Sequence, residues 1–119
     1  MLDFGAGRHL DFTVSTQCAT FQRTQILGPK GRIEIQIPVN APQGAKTRLF
    51  LDDGSALDGS SVLTETLPES DQYLLQGEAF SRAIRGEIKL PYGIEDAICS
   101  MRVLDALFRS EKSARFEVV

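Results

Sequence analysis

The chain has 119 residues, of which 42% are hydrophobic and 24% are charged, and its formal net charge is −3. This composition is typical of one ordinary globular domain and argues against disorder. The 13 Lys and Arg residues are scattered along the sequence. Binding along a nucleic-acid backbone requires concentrated positive charge, so we expect no nucleic-acid partner.

Membrane insertion and secretion are also disfavoured. No apolar run reaches the roughly 18 residues that a membrane-spanning helix requires, and the first residues lack the basic and then apolar order of a signal peptide. Cys18 and Cys99 lie far apart, in no metal-ligand spacing. We expect two buried, reduced thiols, with a disulfide as the less favoured alternative, and a cytoplasmic protein without a membrane partner.

The N-terminal residues predict a hairpin. Leu2 and Phe4 precede the turn-forming glycines Gly5 and Gly7, and an alternation of apolar and polar residues then runs through Ser15. A period of two places alternate side chains on opposite faces of a strand. The second strand is therefore expected to be half-buried along residues 10–15.

The clearest local pattern is a second hairpin, with strands over residues 24–27 and 32–38. Between them lies Gly28-Pro29-Lys30-Gly31, in which proline and glycine occupy favoured turn positions. Three isoleucines of the return strand are predicted on one face and three polar residues on the other. They are Ile33, Ile35 and Ile37 against Arg32, Glu34 and Gln36.

The remaining elements are predicted as strands over residues 48–51 and 62–67, helices over about 71–85 and 94–109, and a closing strand over 115–119. Ser70 or Asp71 can cap the first helix, and Gly86 suits its C-terminus. Each helix carries one apolar stripe that we expect to be buried. The stripes are Tyr73, Gly77, Phe80 and Ile84, and then Ile94, Ala97, Ile98, Met101, Leu104 and Phe108.

This order predicts a single α+β domain over residues 1–119, with an open, mainly antiparallel sheet of five or six strands and two helices packed on one face. The opposite face is then left to water or to another protein. Its moderately polar residues suit either a solvated surface or a symmetric dimer of two copies. The candidates for such an oligomer face are Thr13, Ser15, Arg32, Glu34 and Gln36, beside Gln17.

Catalytic patterns are not found. No Gly-x-Gly-x-x-Gly stands between a strand and a helix. His9 is the single histidine and is interpreted as a surface residue, because a general base needs an orienting partner. We assign no catalytic, cofactor-binding or metal-binding residue. Gln17, Gln22 and Arg23 could hydrogen-bond a hydroxylated substrate at a cleft, or could be solvated strand ends.

Three segments together resemble the C-terminal half of the Gfo/Idh/MocA family of NAD(P)-dependent oxidoreductases. Residues 21–35 (FQRTQILGPKGRIEI) are similar to that family's Q-R-x-x-I-x-G-x-x-G-R-I-E hairpin. Residues 73–86 (YLLQGEAFSRAIRG) resemble its Y-x-x-x-x-x-x-F-x-x-A-I-x-x-G helix. Residues 95–110 resemble its final helix, with an acidic start and a D-A-L-x-x-S end.

The resemblance implies a C-terminal α/β domain whose open sheet commonly forms the oligomer interface and one wall of the substrate cleft. Substrates of the family are typically sugars, inositols or related polyols. For that wall we take Gln17, Gln22, Arg23 and Tyr73 as candidates, and for the sheet a homo-oligomer, dimeric or higher.

The family's Rossmann domain, its Glu-Lys-Pro lysine and its Asp-x-x-x-His motif have no counterpart in this sequence. The chain is therefore expected to bind no cofactor and to be inactive alone, with NAD or NADP held by a full-length parent. The alternative is a stand-alone binding or scaffold module that uses its open sheet without catalysis.

Overall fold

Strands and helices occupy separate halves of the chain. The computed structural model describes all of residues 1–119, which form two compact units, Met1–Ser70 and Asp71–Val119. All strands belong to the first unit and both helices to the second. The α+β class and the open antiparallel sheet are confirmed. The single domain and the packing of both helices on one sheet face stay predictions.

The N-terminal hairpin is confirmed but short. Strand β1 (Leu2–Asp3) pairs antiparallel with β2 (His9–Leu10), around a turn in which residues 5–7 all have positive φ. The prediction that the second strand continues through Ser15 is wrong, because residues 11–22 contain no regular structure. Alternation provides two distinct faces, but a strand also needs a neighbour for its backbone groups, and residues 11–15 pair with none.

The main sheet has four strands, and the two N-terminal strands form a separate small sheet, which corrects the prediction of one sheet of five or six. Its order is β3-β4-β5-β6, antiparallel throughout. The strands are β3 (Arg23–Gly28), β4 (Gly31–Gln36), β5 (Arg48–Asp52) and β6 (Leu63–Thr66).

The predicted hairpin of residues 24–38 is confirmed as β3 and β4. Its register runs from Arg23 opposite Gln36 to Gly28 opposite Gly31, so that Pro29 and Lys30 form the tip. Strand β4 ends two residues before the predicted Pro38. Ile37 adopts a φ of 52°, and a left-handed residue cannot continue the pleat.

The register divides the four strands into two faces of opposite character. The face that we name the polar sheet face carries Arg23, Gln25, Arg32, Glu34, Gln36, Arg48, Phe50, Asp52, Thr64 and Thr66, with Leu27 opposite Arg32 near the hairpin tip. The apolar sheet face carries Ile26, Ile33, Ile35, Leu49, Leu51 and Leu63, with Thr24 and Glu65 at its edges. The predicted separation of the isoleucines from Arg32, Glu34 and Gln36 is thereby confirmed for the strand residues.

Both helices are confirmed, and their ends follow capping chemistry. Helix α1 (Gln72–Ile84) begins after Asp71, whose carboxylate accepts hydrogen bonds from the backbone of Tyr73 and Leu74. Its C-cap is Arg85, and Gly86 follows with a φ of 74°, which lets the backbone N–H groups of Gly86 and Glu87 donate to the carbonyls of Ala83 and Arg82. Helix α2 (Ile94–Ser113) extends four residues beyond the predicted end and stops at the left-handed Ala114.

The predicted closing strand of residues 115–119 is wrong. These residues run instead along the end of α2, where Ser113 donates to the Glu117 carboxylate at 2.7 Å and Arg109 donates to the Val118 carbonyl at 2.8 Å. Ala106, 4% exposed, is the one buried hydrophobic side chain of the chain. The tail therefore binds near the Ala106 side of the helix and not on the predicted stripe.

Several predictions of burial are wrong. The large apolar residues of both helix stripes are exposed, from 44% for Ile98 and Leu104 to 71% for Ile84. Cys18 and Cys99 are free, as predicted, but exposed. Hydrophobic periodicity shows which face of a helix is suited to burial. Burial also requires a second surface that packs on that face, and periodicity does not show whether one exists. Neither helix combines the length and hydropathy that crossing a bilayer would require.

Gly31 provides a sharp test of the sheet register. Its φ is 140°, and a Cβ at this position would collide with the Asp52 carbonyl oxygen of β5. We expect Gly31→Ala to reduce the free energy of unfolding by at least ~2 kcal/mol. The control Gly28→Ala meets only ordinary contact at 3.8 Å and should cost less than about 1 kcal/mol. Urea unfolding measures the loss in the free energy of unfolding for each variant. Equal losses in the two variants would contradict the close approach of β4 and β5.

Asp71 is expected to stabilise α1 through its cap. Asp71→Ala leaves two backbone N–H groups without their acceptor and should cost about 1 kcal/mol in thermal unfolding. Ser70→Ala is the neighbouring control, since the Ser70 hydroxyl only donates to the Pro68 carbonyl at 3.4 Å. A larger loss of thermal stability in Ser70→Ala than in Asp71→Ala would show that Ser70, and not Asp71, is the capping residue.

Candidate functional site

The polar sheet face is the richest cluster of interacting polar side chains in the first unit. Adjacent strands bring Glu34 of β4 between two donors of β3. Arg23 donates from Nε to Glu34 at 3.1 Å, and Gln25 donates to its other carboxylate oxygen at 2.9 Å. The Arg23 and Glu34 side chains are 28% and 24% exposed, so this ion pair is partly shielded from solvent.

A second group of contacts extends this network across β5. Arg32 lies opposite Asp52 in the register, and their side chains pair at 3.0 Å. Arg48 donates to Gln36 at 2.9 Å, and its guanidinium lies 5.9 Å from the centre of the Phe50 ring. The face therefore consists of cross-strand pairs in which carboxylates match Arg23 and Arg32, while Arg48 contacts an amide and an aromatic ring.

Asp52 is the most buried charged group of this network, with a side chain only 8% exposed. Hydrogen bonds from the Ser61 hydroxyl at 2.7 Å and the Gly54 backbone at 2.9 Å, with a further contribution from Arg32, hold the pKa of Asp52 below its ordinary value. All three bonds favour the ionised carboxylate. Asp52 therefore acts as an anion that joins β4, β5 and the loop before β6.

Two further aspartates in the loop between β5 and β6 also have a lowered pKa. Hydrogen bonds from Ser55 lower the pKa of Asp53, and hydrogen bonds from Ser60 lower the pKa of Asp58. General acid catalysis near neutral pH needs a carboxyl whose pKa is raised. These three aspartates are shifted the other way, which suits a role in loop geometry.

The predicted substrate-wall residues belong to different segments and to both units. Gln17 lies in an exposed turn, with its backbone N–H on the Ser15 hydroxyl and its amide on Thr16. Gln22 and Arg23 are adjacent at the start of β3, and both are half-buried. Tyr73 belongs to the second unit, where it lines a groove of about 630 Å³ beside α1 with Phe80 and Tyr92.

The predicted oligomer-face residues are also divided. Arg32, Glu34 and Gln36 share the polar sheet face, whereas Thr13 and Ser15 lie in residues 11–22, outside any strand. His9 is exposed, as interpreted, with Nδ1 3.6 Å from Asp3. No group of three His, Cys, Asp or Glu side chains has an arrangement that could hold a metal ion.

Sequence reasoning missed Arg48, Asp52 and Ser61. The predicted strand of residues 48–51 stops one residue before Asp52, whose position opposite Arg32 makes it an ion-pair partner. Eleven residues separate β4 from β5, so the register of that pair could not be read from a tight turn. The contact of Ser61 with Asp52 depends on the geometry of the loop before β6, and the sequence pattern does not predict it.

Comparison with known proteins assigns the class. Residues 1–119 match the family described as "Oxidoreductase family, C-terminal alpha/beta domain" of the Gfo/Idh/MocA type. The chain belongs to this family, as the resemblance of its three segments indicated.

A curated relative, the "Uncharacterized oxidoreductase ORF334" of Rhizobium meliloti, is 36% identical over 119 residues. The match covers 100% of this chain but 36% of the relative, so the chain spans about a third of that protein's length. No solved structure matches significantly.

The network at Asp52 predicts a specific acid response. Because its pKa is lowered in the folded state, ionised Asp52 stabilises the fold above its ordinary pKa of 3.8, and this contribution is lost as the pH falls through the folded value. Asp52→Asn should lower the melting temperature at pH 7, and its difference from the wild type should shrink below about pH 4.

Melting curves between pH 7 and pH 3 measure this difference. Asp11→Asn is the matched control, because Asp11 is exposed and outside any strand. A wild-type advantage over the Asp52 variant that stays constant down to pH 3 would rule out the proposed role of the carboxylate.

Proposed function

We propose that this chain supplies the substrate-cleft wall and the oligomer interface of a cytoplasmic NAD(P)-dependent oxidoreductase that acts on a sugar or polyol, and that the chain is inactive alone. One observation carries the proposal. The whole chain matches an oxidoreductase C-terminal domain while spanning 36% of an oxidoreductase relative. The remaining length of such a protein has room for a nucleotide-binding domain.

The division of labour follows from the chemistry of hydride transfer, which needs a nicotinamide held against the substrate. Dinucleotide phosphates are bound where a glycine-rich loop leads from a strand into a helix N-terminus. The glycine-rich turn of residues 28–31 leads from β3 into another strand and has no helix dipole to offer. Cofactor binding is therefore assigned to a domain other than this one.

Substrate binding is assigned to the polar end of β3 and to Tyr73. Gln17, Gln22, Arg23 and Tyr73 carry amide, guanidinium and phenol groups, which suit the hydroxyls of a polyol. In this structure the guanidinium of Arg23 is engaged with Glu34 and with the Gln22 carbonyl. Arg23 therefore has a fixed direction, which favours orientation of a substrate over flexible capture.

Assembly is assigned to the polar sheet face. In a twofold-symmetric interface the same patch meets itself, so a patch of one sign would repel its copy. Arg32 and Glu34 place both signs on one strand, and Gln36 adds an uncharged donor and acceptor. Thr13 and Ser15 are assigned to the same interface through the segment before β3.

Self-association tests the assembly part. We expect light scattering to show a dimer or larger species whose fraction rises with concentration. Glu34→Arg breaks the charge balance of the polar sheet face and should weaken association about tenfold or more. Glu65→Arg, on the apolar sheet face, is the matched control and should not. A monomer at high concentration, or equal effects of both variants, would refute this interface.

Turnover tests the catalytic part. The isolated chain, supplied with NAD⁺ or NADP⁺ and a panel of sugars and inositols, should produce no NAD(P)H above background. The product of the entire reading frame that contains the chain should oxidise a member of the panel. Activity of the chain alone would contradict the division of labour. A reading frame without a nucleotide-binding sequence would favour the scaffold alternative.

A further inference from the structure

Ile37 has a backbone conformation that its own chemistry disfavours. Its φ is 52°, in the left-handed region, where a β-branched side chain crowds the backbone. It also precedes Pro38, and a residue before proline is restricted towards extended conformations. Such strain persists only where the surrounding contacts enforce it, and it concentrates at ligand-binding and catalytic sites.

The contacts that enforce this conformation come from one residue, Gln22. The backbone N–H of Ile37 donates to the Gln22 carbonyl at 3.4 Å. The side-chain oxygen of Gln22 accepts from the N–H of Val39 at 3.4 Å and of Asn40 at 3.2 Å. Gln22 thereby holds both the strained residue itself and the chain just after it.

Gln22 is itself anchored to the sheet. The guanidinium of Arg23 donates to the Gln22 carbonyl at 2.9 Å, while Arg23 is fixed by its ion pair with Glu34. A continuous set of hydrogen bonds therefore leads from the polar sheet face through Gln22 to the segment after β4.

The segment presents Asn40 at its end. The backbone N–H of Asn40 is used by Gln22, but its exposed side-chain amide makes no hydrogen bond within the protein. An amide offers a carbonyl acceptor and two N–H donors, which matches a pair of neighbouring hydroxyl groups. The side-chain oxygen of Gln22 is already occupied, so it is less suited to contact a substrate than sequence reasoning suggested.

We infer that Gln22 is a positioning residue that holds the segment of residues 37–40 in one conformation, and that Asn40 is the residue of this segment that contacts a substrate hydroxyl. The inference rests on the proposed function, because it takes a polyol as the ligand. It adds Asn40 to the substrate wall and changes the role of Gln22 from contact to support.

The structural part is tested in the chain itself by NMR relaxation. Gln22→Met keeps the size of the side chain but removes the acceptor, whereas Gln22→Glu keeps an acceptor oxygen. We expect the backbone order parameters of Val39 and Asn40 to fall from about 0.85 to below about 0.6 in the Met variant. In the Glu variant, and in the control Gln72→Met on α1, they should stay near the wild-type value.

Relief of strain provides an independent arm. Asparagine tolerates the left-handed region, so Ile37→Asn combined with Gln22→Met should restore order at Val39 and Asn40. Unchanged order in Gln22→Met, or failure of Ile37→Asn to restore it, would overturn the positioning role.

The functional part is tested in the product of the entire reading frame, with NAD(P)⁺ and an oxidised polyol. Asn40→Ala and Gln22→Met should each raise KM about tenfold with kcat changed by less than about threefold, because a ground-state hydrogen bond is lost. Gln22→Glu should stay within about threefold of the wild-type KM.

The two failures are distinguishable. If the enzyme is active and Asn40→Ala has the wild-type KM, the contact assigned to Asn40 is wrong. If no polyol is oxidised at all, the proposed function fails, together with the assignment of Asn40, while the relaxation data still decide whether Gln22 positions the segment.

Discussion

Antiparallel pairing of β3, β4 and β5 is the constraint on which the rest of the structure depends. Alternate side chains of a strand point to opposite faces of the sheet. The observed register therefore places Ile26, Ile33 and Leu51 on one face and the polar residues next to them in sequence on the other. A shift by one residue would invert both faces at once. The ion pair of Arg32 with Asp52 spans two strands and discriminates against that shift.

The sheet also explains how polar groups near its Arg23 end are linked. The carboxylate of Glu34 orients Arg23, which holds the Gln22 carbonyl, and the Gln22 side chain holds the segment beyond β4. Each step is a hydrogen bond that involves a residue already held by the previous one. A residue of the polar sheet face is thereby linked through hydrogen bonds to the segment beyond β4.

The β3–β4 hairpin and the ends of α1 were predictable because their signals are local. Turn residues 28–31 and the isoleucines of β4 specify a hairpin and its faces, and Asp71 and Gly86 mark the ends of α1. The predictions that failed concern features that depend on partners elsewhere in the chain. Residues 11–15 alternate like a strand but pair with none, the tail of residues 115–119 binds to α2, and the register that joins Arg32 to Asp52 follows an eleven-residue connection.

The candidate site was predicted in part for the same reason. Glu34 and Gln36 were found from alternation along the return strand, and Arg23 from its place beside the start of the hairpin. The role proposed for Asn40 depends on the left-handed Ile37, and a β-branched residue gives no sequence signal for that conformation. The resemblance of residues 21–35, 73–86 and 95–110 indicated the family correctly, and the match over residues 1–119 confirms it. Family membership alone does not locate a substrate.

Hydroxyl-radical footprinting would test the central claim, that the polar sheet face is built to be covered by protein. Phe50 lies on that face, while Leu57 is a fully exposed residue in the loop between β5 and β6 and serves as the internal reference. In the assembled product of the reading frame, the oxidation rate of Phe50 relative to Leu57 should fall severalfold below its rate in the dilute chain. An unchanged ratio would mean that the face meets only water.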